Sequence, residues 1–121
     1  MARILAVDDS HSLRKILVGA LQAAGHQVTE AEDGVQAVGI AGAGNPVQLV
    51  ITDVNMPKMD GLTLVKKLRT LPNYRHVPIL ILTTEMDPAK KKEAKDAGAT
   101  GWIVKPFAPE LLLATIRKVL D

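Results

Sequence analysis

The chain alternates short apolar runs with longer segments of helical periodicity, and this alternation limits the folds open to it. Each run of about four residues is typical of a strand and is followed by apolar residues that recur every three or four positions. Alternation with connections this short indicates a parallel sheet covered by helices on both faces, and at this length the doubly wound, flavodoxin-like α/β arrangement is the economical choice. The second run is half polar, which predicts an edge strand. The predicted strands are residues 4–7, 28–31, 49–52, 79–82 and 101–104.

The apolar stripes of the helical segments predict which side chains are buried. In the first segment, the stripe consists of Leu13, Ile16, Leu17, Ala20, Leu21 and Ala24. In the third, it consists of Leu62, Val65, Leu68 and Leu71, which leaves water-facing positions at Lys66, Lys67 and Arg69. The other helices are predicted over residues 34–41 and 89–97 and from Pro109 onward.

Capping residues predict where several of these helices begin and end. The predicted N-caps are Ser10 or Ser12 for the first helix, Asp33 for the second and Asp87, followed by proline, for the fourth. Glycines that can end the first and fourth helices stand at Gly25 and Gly98.

Composition limits the function classes. With 121 residues the chain can build one domain with a real core but not two, so residues 1–121 are expected to form a single domain. A net charge of +2, with no basic run interleaved with aromatics, gives no reason to expect nucleic-acid binding. The lack of cysteine excludes disulfides and thiolate metal sites. No signal peptide or membrane-spanning stretch is found, so a cytoplasmic protein without membrane contact is expected.

Four of the apolar runs end in a polar group that could take part in chemistry. Asp8 and Asp9 follow the first run, Asp53 follows the third, Thr83 the fourth and Lys105 the fifth. In an open α/β sheet, ligands bind at the carboxyl ends of the strands. If the runs are neighbouring parallel strands, we therefore expect these side chains to converge on one edge.

The converging groups suit phosphoryl transfer to an aspartate. Carboxylates of Asp8, Asp9 and Asp53 held close together need a cation to stay ionised, and Mg²⁺ is the natural partner of hard oxygen ligands without His or Cys. With Lys105 and Thr83 beside it, Asp53 could attack phosphorus and become an acyl phosphate. Taken singly, the residues fit simpler roles as helix-terminal acids, a turn or cap aspartate, a strand threonine and a solvated lysine. Their shared position favours a site.

Six segments carry a more specific signal: Val7-Asp8-Asp9-Ser10, Ala31-Glu32-Asp33-Gly34, the stretch from Thr52 to Gly61, Leu82-Thr83-Thr84-Glu85, Ala97-Gly98-Ala99 and Val104-Lys105-Pro106-Phe107. With them the sequence resembles the receiver domain of two-component response regulators, and within that family the single-domain chemotaxis regulators. The resemblance covers the whole chain. It implies a five-stranded parallel sheet in the order 2-1-3-4-5.

The resemblance also implies roles for the residues at the strand ends. Asp53 would be the phosphoacceptor, and Asp8 and Asp9 would hold Mg²⁺ together with Asp53 and the backbone carbonyl of Asn55. Thr83 and Lys105 would bind the phosphoryl group, and the Lys105–Pro106 bond would be cis. The hydrolysis rate of the phosphoryl group would be tuned by Asn55 and Glu85.

Two positions depart from the family pattern. Trp102 stands where the family usually places Tyr, Phe or His as a ring that swings inward on activation. Because tryptophan is bulkier, either its inward rotamer is harder to reach or its pocket is larger; the alternative is that the ring only packs on the sheet face. Val54 stands where the chemotaxis regulators have an aromatic residue. The expected output face is made by the fourth helix, the fifth strand and the fifth helix, and it contains Trp102, Lys90, Lys91, Lys92 and Lys95. Surface positions without a role are expected for His11, His26 and His76.

The resemblance implies a monomeric switch without an output domain that receives its phosphoryl group from a sensor histidine kinase. It would signal by binding a downstream protein, such as a flagellar motor switch component, and catalyse only its own phosphorylation and dephosphorylation. Alternatives are a phosphorelay intermediate that passes the group to a phosphotransfer domain, a pseudo-receiver that works without phosphorylation, and a haloacid-dehalogenase-type phosphatase. The last expects two aspartates two residues apart, whereas Asp8 and Asp9 are adjacent and Asn55 lies two after Asp53.

Overall fold

The computed structural model describes residues 2–44, 46–56, 58–84 and 88–120. Within these residues, five parallel strands form one sheet in the order β2-β1-β3-β4-β5, which confirms the expected order and the edge position of β2. The strands are β1 (Arg3–Val7), β2 (Gln27–Ala31), β3 (Leu49–Asp53), β4 (Ile79–Thr83) and β5 (Gly101–Val104).

Helices follow the strands in alternation. In the described part of the chain they are α1 (His11–Ala23), α2 (Gly34–Gly42), α3 (Gly61–Arg69), α4 (Pro88–Ala97) and α5 (Pro109–Leu120), with a short 3-10 helix at Pro72–Tyr74. None of the helices among these residues is both long and apolar enough to cross a membrane.

Each face of the sheet has its own core. Successive residues of a strand point to opposite faces, so Leu5 and Val7 pack with the side chains of α2, α3 and α4, whereas Ile4 and Ala6 pack with those of α1 and α5. All five residues of β3 are buried. The central strand that ends in Asp53 is thus covered on both sides, which gives that residue a rigid support.

Three of the predicted helix boundaries have clear capping geometry. The Ser10 side chain accepts a hydrogen bond from the Leu13 amide, so Ser10 rather than Ser12 is the cap of α1. Asp33 accepts from the Gln36 amide at the start of α2, as predicted. Gly98 ends α4 with a φ of 110°, a conformation that favours glycine. The predicted cap Asp87 lies outside the described residues.

The predicted buried face of α1 was wrong by about one residue. Leu17 and Leu21 are buried as expected, but Leu13 and Ile16 are 38% and 57% exposed. The face that packs on the sheet is completed instead by Arg14 and Val18. Residues 14, 17, 18 and 21 follow the same three- and four-residue spacing as the predicted stripe, so periodicity alone could not separate the two faces.

The third helix also differs from its predicted pattern. The helix ends at Arg69, so Leu71 lies beyond it, and Leu64 is buried in its place. Arg69 does not face water: its guanidinium donates hydrogen bonds to the carbonyls of Tyr74, Val77 and Gly98 at 2.6 to 3.0 Å. These carbonyls belong to loops at the amino ends of the strands. Arg69 therefore holds together the sheet edge opposite the predicted site.

Candidate functional site

The predicted site residues lie at the carboxyl edge of the sheet, each positioned by a different strand. Asp8 follows β1, Asp53 is the last residue of β3, Thr83 is the last residue of β4 and Lys105 follows β5. The register aligns Val7 with Thr52 and Asp53 with Leu82, so the strands end at nearly the same level. Side chains that are far apart in the sequence are thereby brought to one edge.

Three carboxylates form the centre of this edge. One oxygen each of Asp8, Asp9 and Asp53 lies within 4.8 Å of the other two. Asp8 and Asp53 are buried, with 1% and 6% of their surface exposed, whereas Asp9 is exposed. The cluster is thus a shallow acidic site with two buried members and one facing solvent.

Lys105 supplies the cation that lies next to this cluster. Its Nζ lies 2.9 Å from Oδ1 of Asp53 and 3.7 Å from Oδ2 of Asp8, and its side chain is only 14% exposed. The Lys105–Pro106 peptide bond is cis, as the resemblance implied. One ammonium therefore faces two buried carboxylates.

The Asp8 carboxyl is a buried acid whose surroundings shift its pKa. Burial raises its pKa above the ordinary value, and the neighbouring carboxylates of Asp53 and Asp9 act in the same direction. The amide of Ser10, which donates to Oδ1 at 2.9 Å, and the ammonium of Lys105 act against this rise. Among the described residues, Oδ2 of Asp8 is a buried oxygen that accepts no hydrogen bond.

These donors fit a hard divalent cation. Carboxylate oxygens without His or Cys are the hard donors that Mg²⁺ prefers, and Oδ2 of Asp8 has a coordinating lone pair that no hydrogen bond uses. A cation there would also favour the ionised form of Asp8, whose charge burial disfavours. The residues present therefore match the magnesium site expected from the sequence.

Two hydrogen bonds fix the side chain of Asp53 and the main chain that follows it. The amide of Val54 donates to Oδ1 of Asp53 at 2.8 Å, and the amide of Gly61 donates to the Val54 carbonyl at 2.8 Å. A Cβ on residue 61 would collide with the main-chain oxygen of Asp53 and would lie 2.9 Å from the Cα of Val54. Only glycine allows α3 to approach the main chain of Asp53 so closely, a role that sequence reasoning missed.

A small pocket of about 40 Å³ lies between β4, β5 and α4. Asn55 and Thr83 line it on the side of the predicted acceptor, and the half-buried ring of Trp102 lines it on the side of β5. Lys91 also lines this pocket, and its Nζ lies 5.2 Å from the centroid of the Trp102 ring, a cation–π contact. The pocket therefore connects the neighbourhood of Asp53 with Trp102.

Most of the other predicted residues that the structure describes lie at the surface. On α4, Lys90, Lys92 and Lys95 are exposed, and Lys90 lies 3.9 Å from Glu93. Asn55 is exposed, whereas Glu85 lies outside the described residues. Of the histidines expected at the surface, His11 and His76 are exposed, but His26 is half-buried and its Nδ1 accepts a hydrogen bond from the Ala2 amide at 3.1 Å.

One further side chain, Arg14, lies behind the acidic cluster and was not predicted. Arg14 is 7% exposed and reaches from α1 toward both β1 and β2. A basic residue inside an amphipathic helix is normally interpreted as part of the solvent face. The one signal that could have identified it was its position on the face shared by Leu17 and Leu21.

The chain is similar to known proteins over nearly its whole length. The model of the response regulator receiver domain family matches residues 4–117. The chain is 43% identical over 119 residues to a chemotaxis protein CheY homolog of Campylobacter jejuni, with 98% of this chain and 92% of the relative covered. A solved structure of the Vibrio cholerae chemotaxis protein CheY4 superposes with a TM-score of 0.94 at 50% identity, covering 98% of both chains.

A more distant solved structure includes a metal. It is the receiver domain of the sensor histidine kinase PA1611 from Pseudomonas aeruginosa, with a magnesium ion coordinated in its active site cleft. This domain superposes with a TM-score of 0.90 at 26% identity, covering 98% of this chain and 97% of the other.

Proposed function

The chain belongs to the response regulator receiver family, and from this we propose that it is a magnesium-dependent phosphoacceptor switch of the chemotaxis type. Asp53 accepts a phosphoryl group from the phosphohistidine of a sensor histidine kinase. The observation that carries the proposal is the placement of Lys105, whose ammonium lies 2.9 Å from Asp53 and 3.7 Å from Asp8 at an acidic cluster. A nucleophilic carboxylate, a lysine and a divalent-cation site together meet the needs of phosphoryl transfer.

The acidic cluster is the proposed metal site. The carboxylates of Asp8, Asp9 and Asp53 and the backbone carbonyl of Asn55 would hold Mg²⁺. When bound, the ion supplies positive charge that offsets the charge on the phosphoryl oxygens. Asp8 and Asp9 thus serve as ligands, which leaves an oxygen of Asp53 to react.

In the proposed transfer, an oxygen of Asp53 forms a bond to phosphorus while the P–N bond of the phosphohistidine breaks. The electron pair of that bond stays on the imidazole nitrogen, and Asp53 becomes an acyl phosphate. Lys105, already placed beside the Asp53 carboxylate, balances the charge of the incoming phosphoryl group. Thr83 offers a hydroxyl at the end of the neighbouring strand, and both side chains act by position.

The signal ends when water attacks the acyl phosphate and Asp53 is regenerated. We assign the rate of this step to Asn55, which is exposed beside the acceptor, together with Glu85. These reactions, self-phosphorylation and autodephosphorylation, are the only ones proposed. The chain is a switch and does not turn over a separate substrate.

Output is proposed to pass through the face formed by α4 and β5. Trp102 and Thr83 line the same pocket, so a phosphoryl group bound near Thr83 can change the packing of the Trp102 ring. Lys90, Lys92 and Lys95 give the adjoining helix surface a positive charge. Because two of the compared proteins are named as chemotaxis proteins, the proposed target is a protein of chemotaxis control, such as a flagellar motor component.

The test is the intact mass of the protein after incubation with Mg²⁺ and acetyl phosphate. We expect one added phosphoryl group on the wild type and on the control Asp96→Asn, which changes an exposed aspartate of α4. Asp53→Asn and metal-free samples are expected to stay unmodified. Because rapid hydrolysis can hide an adduct, the sample is also incubated with beryllofluoride while Trp102 fluorescence is followed. If the wild type shows no adduct and its Trp102 fluorescence does not change with beryllofluoride, the proposal is overturned.

A further inference from the structure

Arg14 connects three parts of the chain behind the acidic cluster. Its Nη1 donates a hydrogen bond to the main-chain carbonyl of Asp8 at 2.6 Å, and its Nε donates to Oε1 of Glu30 on β2 at 3.0 Å. Nη2 lies 3.4 Å from Nδ1 of His11 at the start of α1. Arg14 is 7% exposed, whereas the side chain of Glu30 is 48% exposed. A guanidinium with several donors in a fixed plane can make these contacts at once, which a lysine ammonium cannot.

The carbonyl held by Arg14 belongs to the peptide group that joins Asp8 to Asp9. The amide of Asp8 is already fixed, since it donates to the Ala31 carbonyl at 3.2 Å across to β2. Strand β1 ends at Val7, so the Asp8 carbonyl lies beyond the paired part of the sheet. Arg14 is the donor that the structure gives it. The orientation of this one peptide plane sets the direction in which both carboxylates leave the main chain.

We propose that Arg14 is a positioning residue of the phosphoryl-transfer site, which fixes the Asp8–Asp9 peptide and thereby aims both carboxylates at a divalent cation shared with Asp53. Glu30 has the supporting role of orienting the guanidinium. The inference rests on the proposed function, because it concerns the affinity of the same magnesium site. It adds a residue that touches neither metal nor phosphoryl group.

Two competing roles for Arg14 lead to different Mg²⁺ affinities when the residue is removed. As a positive charge near the cluster, Arg14 would repel a cation, so its removal would tighten Mg²⁺ binding. As a tie between α1 and β2, it would contribute stability only, and its removal would leave Mg²⁺ affinity unchanged. If Arg14 is a positioning residue, its removal weakens Mg²⁺ binding, whereas the charge role predicts tighter binding and the stability role predicts no change. The direction of the change in Mg²⁺ affinity therefore separates all three.

The experiment is calorimetric titration of the metal-free protein with Mg²⁺, with thermal melting of each variant by circular dichroism. Arg14→Met removes the hydrogen-bond donors and keeps the apolar stem. It is expected to raise the Kd for Mg²⁺ about tenfold, as loss of a group that orients a metal ligand typically does. Glu30→Gln, at a partly exposed side chain, covers the case in which Arg14→Met does not fold. It is expected to weaken binding in the same direction by a smaller factor.

Arg69→Met is the matched control, since Arg69 also donates to several carbonyls but at the opposite edge of the sheet. It is expected to lower the melting temperature without changing the Mg²⁺ Kd. Unchanged or tighter binding in Arg14→Met, or in Glu30→Gln where the first does not fold, would overturn the role of Arg14 and leave the proposed function standing. If the wild type itself does not bind Mg²⁺, the proposed function fails, and the inference fails with it.

Discussion

Nζ of Lys105 lies 2.9 Å from Oδ1 of Asp53, although strand β4 separates the strands that carry the two residues. Lys105 follows β5 and reaches past the end of β4 to the end of β3. The contact forms only when β3, β4 and β5 are neighbours in this order and end at nearly the same level. The site is therefore a direct product of the sheet topology, and its chemistry can be probed one strand end at a time.

Replacing Lys105 by Met should slow phosphorylation of Asp53 by acetyl phosphate at least about tenfold. The variant removes the ammonium proposed to offset charge at Asp53, and groups in such positions commonly contribute roughly one hundredfold or more to the rate. Rates are measured by quenched-flow mass spectrometry at saturating Mg²⁺. Lys118→Met, at an exposed position of α5, is the control with an unchanged rate. A wild-type rate in Lys105→Met would show that the contact has no part in transfer.

Replacing Asp8 by Asn should stabilise the metal-free protein at neutral pH by about 1 kcal/mol. Because the folded state raises the pKa of Asp8, keeping this carboxyl ionised costs stability at every pH above its ordinary value of 3.8. The gain should shrink as the pH falls toward that value. Mg²⁺ should raise the melting temperature of the wild type and of Asp96→Asn but not of Asp8→Asn. Urea unfolding with and without Mg²⁺ measures both effects, and a destabilised metal-free Asp8→Asn would contradict the predicted cost of this charge.

The two glycines Gly61 and Gly19 should respond to alanine in opposite ways. Gly61→Ala brings a methyl group against the Asp53 main chain and should cost about 1 to 3 kcal/mol of stability while weakening Mg²⁺ binding. Gly19→Ala is exposed on α1 with nothing within 4 Å of the new methyl group, so it should add about 0.5 to 1 kcal/mol through helix propensity. Urea unfolding gives both values. Equal effects of the two substitutions would refute the close approach at Gly61.

Stability should fall as the pH drops below about 6.5, and His26 should account for part of the loss. Burial lowers the pKa of His26 from its ordinary value of 6.5, so the unfolded chain takes up the proton first. The stability that the neutral His26 ring contributes is complete above pH 6.5 and is lost as the pH falls through the pKa of the folded state. His26→Gln should flatten this slope, whereas His76→Gln, at an exposed ring, should not. Chemical unfolding at intervals between pH 5 and 8 (roughly the range of histidine titration) tests the difference.

Removing the ammonium above Trp102 should loosen the ring. Lys91→Ala is expected to make Trp102 more accessible to acrylamide and to cost about 0.5 to 1 kcal/mol. Since Trp102 is the only tryptophan, its fluorescence reports this ring alone. Lys92→Ala, the exposed neighbour on α4, is the control. Equal quenching in wild type and Lys91→Ala would show that the contact does not hold the ring.

The strands, their edge residues and the acidic cluster could be predicted because they depend on local patterns. A short apolar run that ends in Asp53 is predicted to be a buried strand with Asp53 at the carboxyl edge of the sheet. The runs that end in Asp8 and Lys105 are predicted to be parallel strands, so these residues lie at the same edge. The order of the strands came from a family resemblance and not from periodicity. Pattern and resemblance together were enough to locate the site.

The arginines could not be predicted because their partners are main-chain carbonyls. Neither the Asp8 carbonyl nor the carbonyls of Tyr74 and Gly98 are marked in a sequence, and only the folded chain turns them toward a side-chain donor. Arg69 was therefore expected to face water, and Arg14 was given no role. The predicted apolar stripe of α1 included Leu13 and Ile16, whereas the buried face contains Arg14 instead.

Arg69 gathers its carbonyls at the amino ends of the strands, on the edge away from the acidic cluster. The loops that carry these carbonyls can therefore change their attachment without displacing Asp53 or Lys105, because separate contacts hold the two edges of the sheet. A substitution at Arg69 would then alter the resistance of the fold to unfolding and leave the arrangement of the acidic cluster as it is.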